Sequence, residues 1–293
     1  SVGRKFLVAG KGGLNLTNAE PGEKFASRYS GKNPDFWRGI LEEFSPDDLR
    51  GWASGLGFET FETKSGRVYL KDLKAAGLLR RWVSRLREAG VVFHTNHRLV
   101  DLVPGQPFQL VFENGRRAEA DAVILALGGA SWPETGSDGK WVPLFEKLGL
   151  AIAPLAPANC GWEHEWSAQV LASAEGKPLK NIRATAGEKS ASGELILTRY
   201  GLEGGPIYQL GSTLRAMAEP ALSIDLKPAH AVEQLVAKME SVRRNFAAEA
   251  RQRWKLGDAG HALLADREWA DATSLAQEAK NCVIPLKGPR PIG

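Results

Sequence analysis

Gly3-Arg4-Lys5-Phe6-Leu7-Val8-Ala9-Gly10-Lys11-Gly12-Gly13-Leu14-Asn15-Leu16-Thr17-Asn18 is the stretch on which the reading of this chain turns. A short apolar run, Phe6 to Ala9, reads as strand-like and then breaks into three glycines within four positions. Glycine tolerates positive φ and lacks a Cβ, so backbone N–H groups in such a loop can approach a ligand closely. Asn15, Thr17 and Asn18 follow with short side chains that donate or accept near their own backbone. Two readings stand side by side: a place where a cofactor is laid down, or a tight polar turn. The dinucleotide fingerprint G-x-G-x-x-G does not fit, because Asn15 stands where the third glycine belongs. That fingerprint also opens a helix that receives the pyrophosphate, and Pro21-Gly22 argues against a long helix here.

Downstream, Pro34 to Phe44 and Pro46 to Leu56 read as short helices, the second opened by Ser45-Pro46-Asp47-Asp48 with a cap, an N1 proline and first-turn acids. Phe58 to Thr63 and Arg67 to Leu70 flank Lys64-Ser65-Gly66 as a hairpin. Asp72 to Ala89 carries Ala75, Leu78, Leu79, Trp82, Val83 and Leu86 at helical spacing. Val91-Val92-Phe93 begins a strand, and a meander follows over His97 to Val103, Phe108 to Phe112 and Arg117 to Leu127, with Asn114-Gly115 as a turn. Asp121 to Leu127 is nearly all apolar, the pattern of a strand buried on both faces of a parallel sheet. It runs into Gly128-Gly129, and ligands in open α/β sheets sit at the carboxyl ends of strands. Ser131, Thr135, Ser137 and Asp138 surround this second glycine loop with hydrogen-bonding groups.

Trp141 to Leu148 reads as a short helix, and from about Pro154 the texture changes. Gln169 to Ala174, Ile182 to Ala186, Gly193 to Thr198 and Ala221 to Leu226 read as strands of a second, β-rich domain, with Ile207 to Met217 helical. Val232, Leu235, Val236, Met239, Val242 and Phe246 mark one face of a long helix. Polar helical stretches around Glu249 to Leu264 and Glu268 to Lys280 complete a helical annex.

The opening stretch resembles the signature of the HI0933-like (BaiN-like) NAD(P)/FAD-dependent oxidoreductases, bacterial two-dinucleotide-fold flavoproteins. The usual form there is Gly-Gly-Gly-Arg-Cys-Asn-Val/Leu-Thr-Asn; this chain has Lys11 for the first variable glycine, and Gly13 and Leu14 for arginine and cysteine. Gly66-Arg67-Val68-Tyr69, Ala126 to Gly139, Gly193 to Thr198 and Tyr200 to Gly204 resemble the family in the same order. The resemblance implies an α/β fold: a partial FAD-binding Rossmann-like core, residues 1–155, rejoined at about 284–293. A β-rich and helical substrate or cap domain, residues 156–283, is inserted into it. It also implies that the first βαβ unit precedes Ser1. The implied cofactor is FAD, with NAD(P)H as a possible electron partner, and the implied reaction is hydride transfer between flavin N5 and a small organic substrate. The expected cofactor-binding residues are Lys5, Gly10, Gly12, Gly13, Asn15, Thr17, Gly128, Gly129, Thr135 and Asp138. No catalytic side chain is singled out, because the flavin carries the chemistry. A non-catalytic fragment that does not hold FAD alone is the alternative.

The 293 residues, 43% hydrophobic and 25% charged, are those of an ordinary globular chain able to bury a core. No apolar run reaches the roughly 20 residues of a membrane span, and no signal-peptide pattern opens the chain. Cys160 and Cys282 form no C-x-x-C pair, and a cytoplasmic setting is expected. A net charge of +4 is compatible with acidic cofactors and too small to argue for nucleic acid. His94-x-x-His97 lacks cysteine or carboxylate company at a metal-ligand spacing, so no metal is expected.

Overall fold

The computed structural model describes residues 2–29 and 33–292. The chain divides into two compact units, Ser1–Ala153 and Pro154–Gly293. No helix among the described residues is long and apolar enough to cross a membrane.

In the first unit the order is α1 (Arg4–Ala9), β1 (Asn15–Asn18), α2 (Gly22–Ala26), α3 (Pro34–Glu43), α4 (Pro46–Gly55), β2 (Thr60–Glu62), β3 (Arg67–Leu70) and α5 (Ala75–Glu88). There follow β4 (Leu99–Val103), β5 (Phe108–Phe112), β6 (Arg117–Ala120) and α6 (Val142–Lys147). Local chemistry starts the helices where the sequence predicts. The Asn33 side chain accepts from the Phe36 N–H at 3.2 Å, and Ser45 and Asp48 form a reciprocal capping box. Two three-stranded antiparallel sheets form, in the orders β1-β3-β2 and β4-β5-β6. The core gathers Leu14, Ala53, Leu56, Leu70, Ala75 and Leu78, with Phe6, Trp52 and Trp82 packed against it. Trp52 meets Trp82 edge to face at 5.2 Å between ring centroids.

Three expectations for this unit are corrected. The run Phe6 to Ala9 is helical, because an apolar run of four carries no period that separates strand from buried helix. Val91-Val92-Phe93 forms no strand, and Val92 is 72% exposed. Asp121 to Leu127 forms no strand, with Ile124 at 94% exposure. No strand among the described residues lies beside it, so neither the ladder nor the two-sided burial is formed.

The second unit runs β7 (Trp162–Glu163), α7 (Ala168–Ala174), β8 (Pro178–Ala186), β9 (Lys189–Thr198), β10 (Gly201–Gly204) and α8 (Gly205–Ala216). It continues with β11 (Ala221–Asp225), α9 (Val232–Ala237), α10 (Phe246–Arg253), α11 (Asp258–Ala265), α12 (Ala272–Lys280), β12 (Cys282–Pro285) and β13 (Gly288–Pro289). One antiparallel sheet joins all seven strands in the order β12-β11-β8-β9-β10-β7-β13. Its buried residues, Trp162, Leu195, Leu197, Leu222 and Ile224 among them, form one core with Leu210 of α8, Leu235 of α9 and Leu275 of α12. Each fully buried leucine contributes about 1.5–3 kcal/mol, so this core is the unit's main source of stability. Gly204 needs to be glycine: its φ is +125°, and a Cβ there would fall 2.5 Å from the Glu194 carbonyl.

Gln169 to Ala174 is helical rather than a strand. Ser167 caps it by accepting from the Val170 N–H at 3.1 Å, and Val170 and Ala174 bury one face at i, i+4 spacing. The long helix expected from Val232 to Phe246 stops at Ala237; residues 238–245 are not helical, and Asn245 at φ +56° stands immediately before α10. Lys255 at φ +51° similarly divides the stretch from Glu249 to Leu264. Such left-handed residues cannot continue a right-handed helix. In the stretch 284–293, the end of β12 and β13 pair within the seven-stranded sheet of the second unit.

Candidate functional site

The ten residues expected to touch a cofactor all lie in the first unit, in two groups separated by α1. At the start of α1, the Lys5 ammonium donates to Ser131 Oγ at 3.1 Å and Ser137 Oγ at 3.3 Å. This ties the opening stretch to the loop that carries Gly128, Gly129, Thr135 and Asp138. Among the described residues no carboxylate comes within ion-pair distance of Lys5, so its charge is uncompensated. Ser137 is buried at 5% exposure. Gly128 adopts φ +75° directly over it, where a Cβ would lie 3.1 Å from Ser137 Oγ. The Trp141 indole N–H donates to the Gly128 carbonyl at 3.0 Å, and the Gly139 N–H to that of Gly129 at 3.2 Å. Thr135 donates to the Trp132 carbonyl at 2.8 Å, so its hydroxyl shapes the turn itself.

Asp138 accepts from Arg98 at 2.9 Å and from the Lys140 N–H at 3.2 Å. The Arg98 hydrogen bond is the largest cause holding its carboxyl below the ordinary range, and Asp138 raises Arg98 in return. Arg4, His94, His97, Arg98, Asp138 and Trp141 border a concavity of about 1130 Å³ with more cationic than anionic side chains. His94 and His97 lie 5.3 Å apart between ring centroids, and His97 Nδ1 faces its own Thr95 carbonyl at 2.7 Å. Among the described residues no three potential ligands cluster for a metal.

At the far end of α1, about 9 Å away for a six-residue helix, are Gly10, Gly12, Gly13, Asn15 and Thr17. Gly10 is buried, and a Cβ on it would collide with the Ala75 methyl of α5. Gly3, seven residues earlier and on the same face, would put a Cβ 2.5 Å from Leu79 of α5. These two glycines let α1 lie close on α5, a role distinct from the ligand contact expected of Gly10. Gly12 is different: nothing lies within 4 Å of where its Cβ would be, and the same holds for Gly129. Gly13 adopts φ +117°. Asn15 and Thr17 lie in the β1–β3 ladder opposite Tyr69 and Val68. A smaller concavity of about 330 Å³ is bordered here by Gly10, Lys11, Leu73, Lys74 and Arg80.

The structure therefore brings Lys5 together with Gly128, Gly129, Thr135 and Asp138, and sets the other five apart. Sequence reasoning did not find Arg98 or Trp141. Arg98 stands 40 positions from its partner Asp138 within an unremarkable polar segment, and no local signal announces the pair.

Helices and sheets are mixed throughout the chain, and the concavity bordered by Arg4, Arg98 and Asp138 lies beside the second glycine loop. The family model described as the HI0933-like protein Rossmann domain matches residues 1–255, and the chain belongs to that family. It is 30% identical over 214 residues to the 3-dehydro-bile acid delta(4,6)-reductase of Clostridium scindens, covering 72% of this chain and 51% of that protein. It is 24% identical over 216 residues to the ribosomal RNA dihydrouridine synthase of Escherichia coli, covering 72% and 52%. The corresponding Haemophilus influenzae enzyme is 24% identical over 250 residues, covering 83% and 61%. The chain thus spans between half and three-fifths of the length of these curated relatives.

Proposed function

We propose that this chain is part of a cytoplasmic FAD-dependent oxidoreductase that moves a hydride between flavin N5 and a small organic substrate, with NAD(P)H as electron partner. The observation that carries the reading is the Lys5 ammonium, which among the described residues has no carboxylate within ion-pair distance and is seated between two hydroxyls of the second glycine loop. An uncompensated cation there fits an anionic cofactor. The space beside Gly12 and Gly129, which any Cβ would fill, fits close approach of a ligand to backbone. The family and the 30% identity to a reductase support the same reaction class. FAD, when bound, supplies the hydride chemistry. This chain's residues hold and orient it: Lys5 through charge, Gly12, Gly13, Gly128 and Gly129 through backbone access. Asn15, Thr17, Thr135 and Asp138 act one step back, by fixing the two loops.

The test is an absorption spectrum of the purified chain with and without added FAD, beside Gly12→Val/Gly129→Val and Lys5→Ala. Both glycines have ordinary φ and open space, so the valines leave the fold intact while filling the proposed seat. Flavin bands in the parent that are lost in the double variant are the expected result. Retention of flavin by both variants sinks the assignment. A second reading, with ribosomal RNA as substrate, is favoured by the names of the two synthases at 24% identity. NAD(P)H turnover dependent on added RNA, and on no small acceptor, would select it.

A further inference from the structure

Three stretches of the second unit that are distant in sequence converge on one concavity. Lys177 and Lys180 lie just before and at the start of β8, Lys227 and His230 follow β11, and Lys255 precedes α11; together they border a space of about 710 Å³. Leu179, Leu226 and Leu256, all buried, give it an apolar floor. That volume is within the roughly 300–1,000 Å³ of small-molecule sites.

The charge balance there is one-sided. Among the described residues neither Lys180, Lys227 nor Lys255 has a carboxylate within ion-pair distance. The one acid on the rim, Asp258, is held by Arg251 at 2.7 Å and stands 3.9 Å from Lys177. Lys227 is half-buried, with its ammonium on the Lys255 carbonyl at 3.0 Å. Burial first, and then the charges of Lys238 and Lys255, push its pKa below the ordinary lysine value.

One further feature suits an anion rather than a cation: α11 begins at Gly257 with no side-chain cap, so its first backbone N–H groups and its positive dipole end border the same space. The Lys227–His230 turn is held in place by Lys280, which donates to both their carbonyls and pairs with Asp225 at 2.6 Å.

We infer that this concavity binds a small phosphorylated metabolite of about nucleoside-diphosphate size, its phosphoryl oxygens held by Lys180, Lys227, Lys255 and the start of α11. A phosphoryl group matches the site better than a carboxylate, because its oxygens can engage several ammonium groups and backbone N–H groups at once. The inference does not rest on the flavin reading, and either can fail alone.

The experiment is isothermal titration of the full chain with inorganic pyrophosphate and with ADP at low salt. Lys180→Gln/Lys255→Asn removes two exposed ammonium groups; asparagine keeps the left-handed backbone that Lys255 adopts. Lys64→Gln/Lys189→Gln removes the same charge elsewhere. Each lost ammonium removes a charge-assisted hydrogen bond to the probe, so the first double variant is expected to weaken both probes at least about tenfold, and the control to leave them unchanged. Tighter binding of ADP than of pyrophosphate marks a nucleotide; equal binding marks the phosphoryl group alone as the recognised part. No binding of either probe, equal loss in the control, or no loss in Lys180→Gln/Lys255→Asn overturns the proposal. So does an oligouridine that binds through the same two lysines far more tightly than ADP, which would make the surface one for nucleic acid.

Discussion

Gly10→Ala separates packing from ligand contact within the opening stretch. Two methyl carbons require about 3.5–4.0 Å, and an alanine Cβ at residue 10 would stand well inside that distance from the Ala75 Cβ. It would also sit 3.3 Å from the Phe6 carbonyl and 3.5 Å from the Leu14 Cβ, so rotation cannot relieve the clash. The helix must shift against α5 by more than about 1 Å, an overpacking cost of about 1–3 kcal/mol. For a unit of about 150 residues each kcal/mol lowers Tm by about 2–4 °C, which places the expected fall between about 2 and 12 °C. The compensating change is Ala75→Gly, at the first residue of α5, where losing the methyl costs less than the roughly 1 kcal/mol of a helix interior. Thermal melting of the two single variants and the double variant gives the coupling. The double variant is expected to melt above Gly10→Ala. Unchanged melting of Gly10→Ala, with flavin binding lost, would refute the packing role and return Gly10 to the cofactor.

Asp138→Asn removes the pair with Arg98. Because the folded carboxyl is held below its ordinary value, its contribution is present above the unfolded pKa and disappears as pH falls through the folded one. The melting difference between parent and variant is therefore expected at neutral pH and absent in strong acid; a constant difference across that range would contradict the ion pair. Tyr200 donates to Glu203 at 2.6 Å, and burial first, then that carboxylate, pushes its hydroxyl up to about 12. Its contribution is present below the unfolded value near 10 and lost as pH rises through about 12. Ultraviolet titration should show a late tyrosinate step that moves down in Glu203→Gln. Cys282 is buried, with burial again pushing its thiol up to about 12, while Cys160 is half-buried. One slow alkylation at Cys160 should precede any at Cys282 under native conditions; the reverse order would contradict the burial.

What the sequence made legible was local. Asn33 and Ser45 with their prolines announce α3 and α4, the periodicity of Leu78, Leu79 and Trp82 announces α5, and Lys64-Ser65-Gly66 announces the turn between β2 and β3. The family, too, was written in the glycine motifs. The failures share a cause: where the deciding partner lies far along the chain, the local pattern carries no vote. The helix at Phe6 to Ala9 packs Phe6 against Trp82, over seventy residues away, at 6.3 Å between centroids. Lys5 found Ser131 and Ser137, and Asp138 found Arg98, across separations of 126, 132 and 40 residues.

The same argument gives the glycines of the opening stretch different meanings that composition could not distinguish. Gly3 and Gly10 are small because α5 passes close by; Gly12, like Gly129 in the other loop, has open space and no positive φ to require it. A glycine required neither by packing nor by backbone conformation leaves its backbone open to close approach, which is the use the proposed flavin reading makes of Gly12 and Gly129. Lys5 repeats the logic in charge: it is held by two hydroxyls, and among the described residues no carboxylate pairs with it. Glycine clusters therefore do not by themselves mark a ligand seat. The proposed flavin seat rests instead on residues whose smallness or charge the surrounding structure does not use.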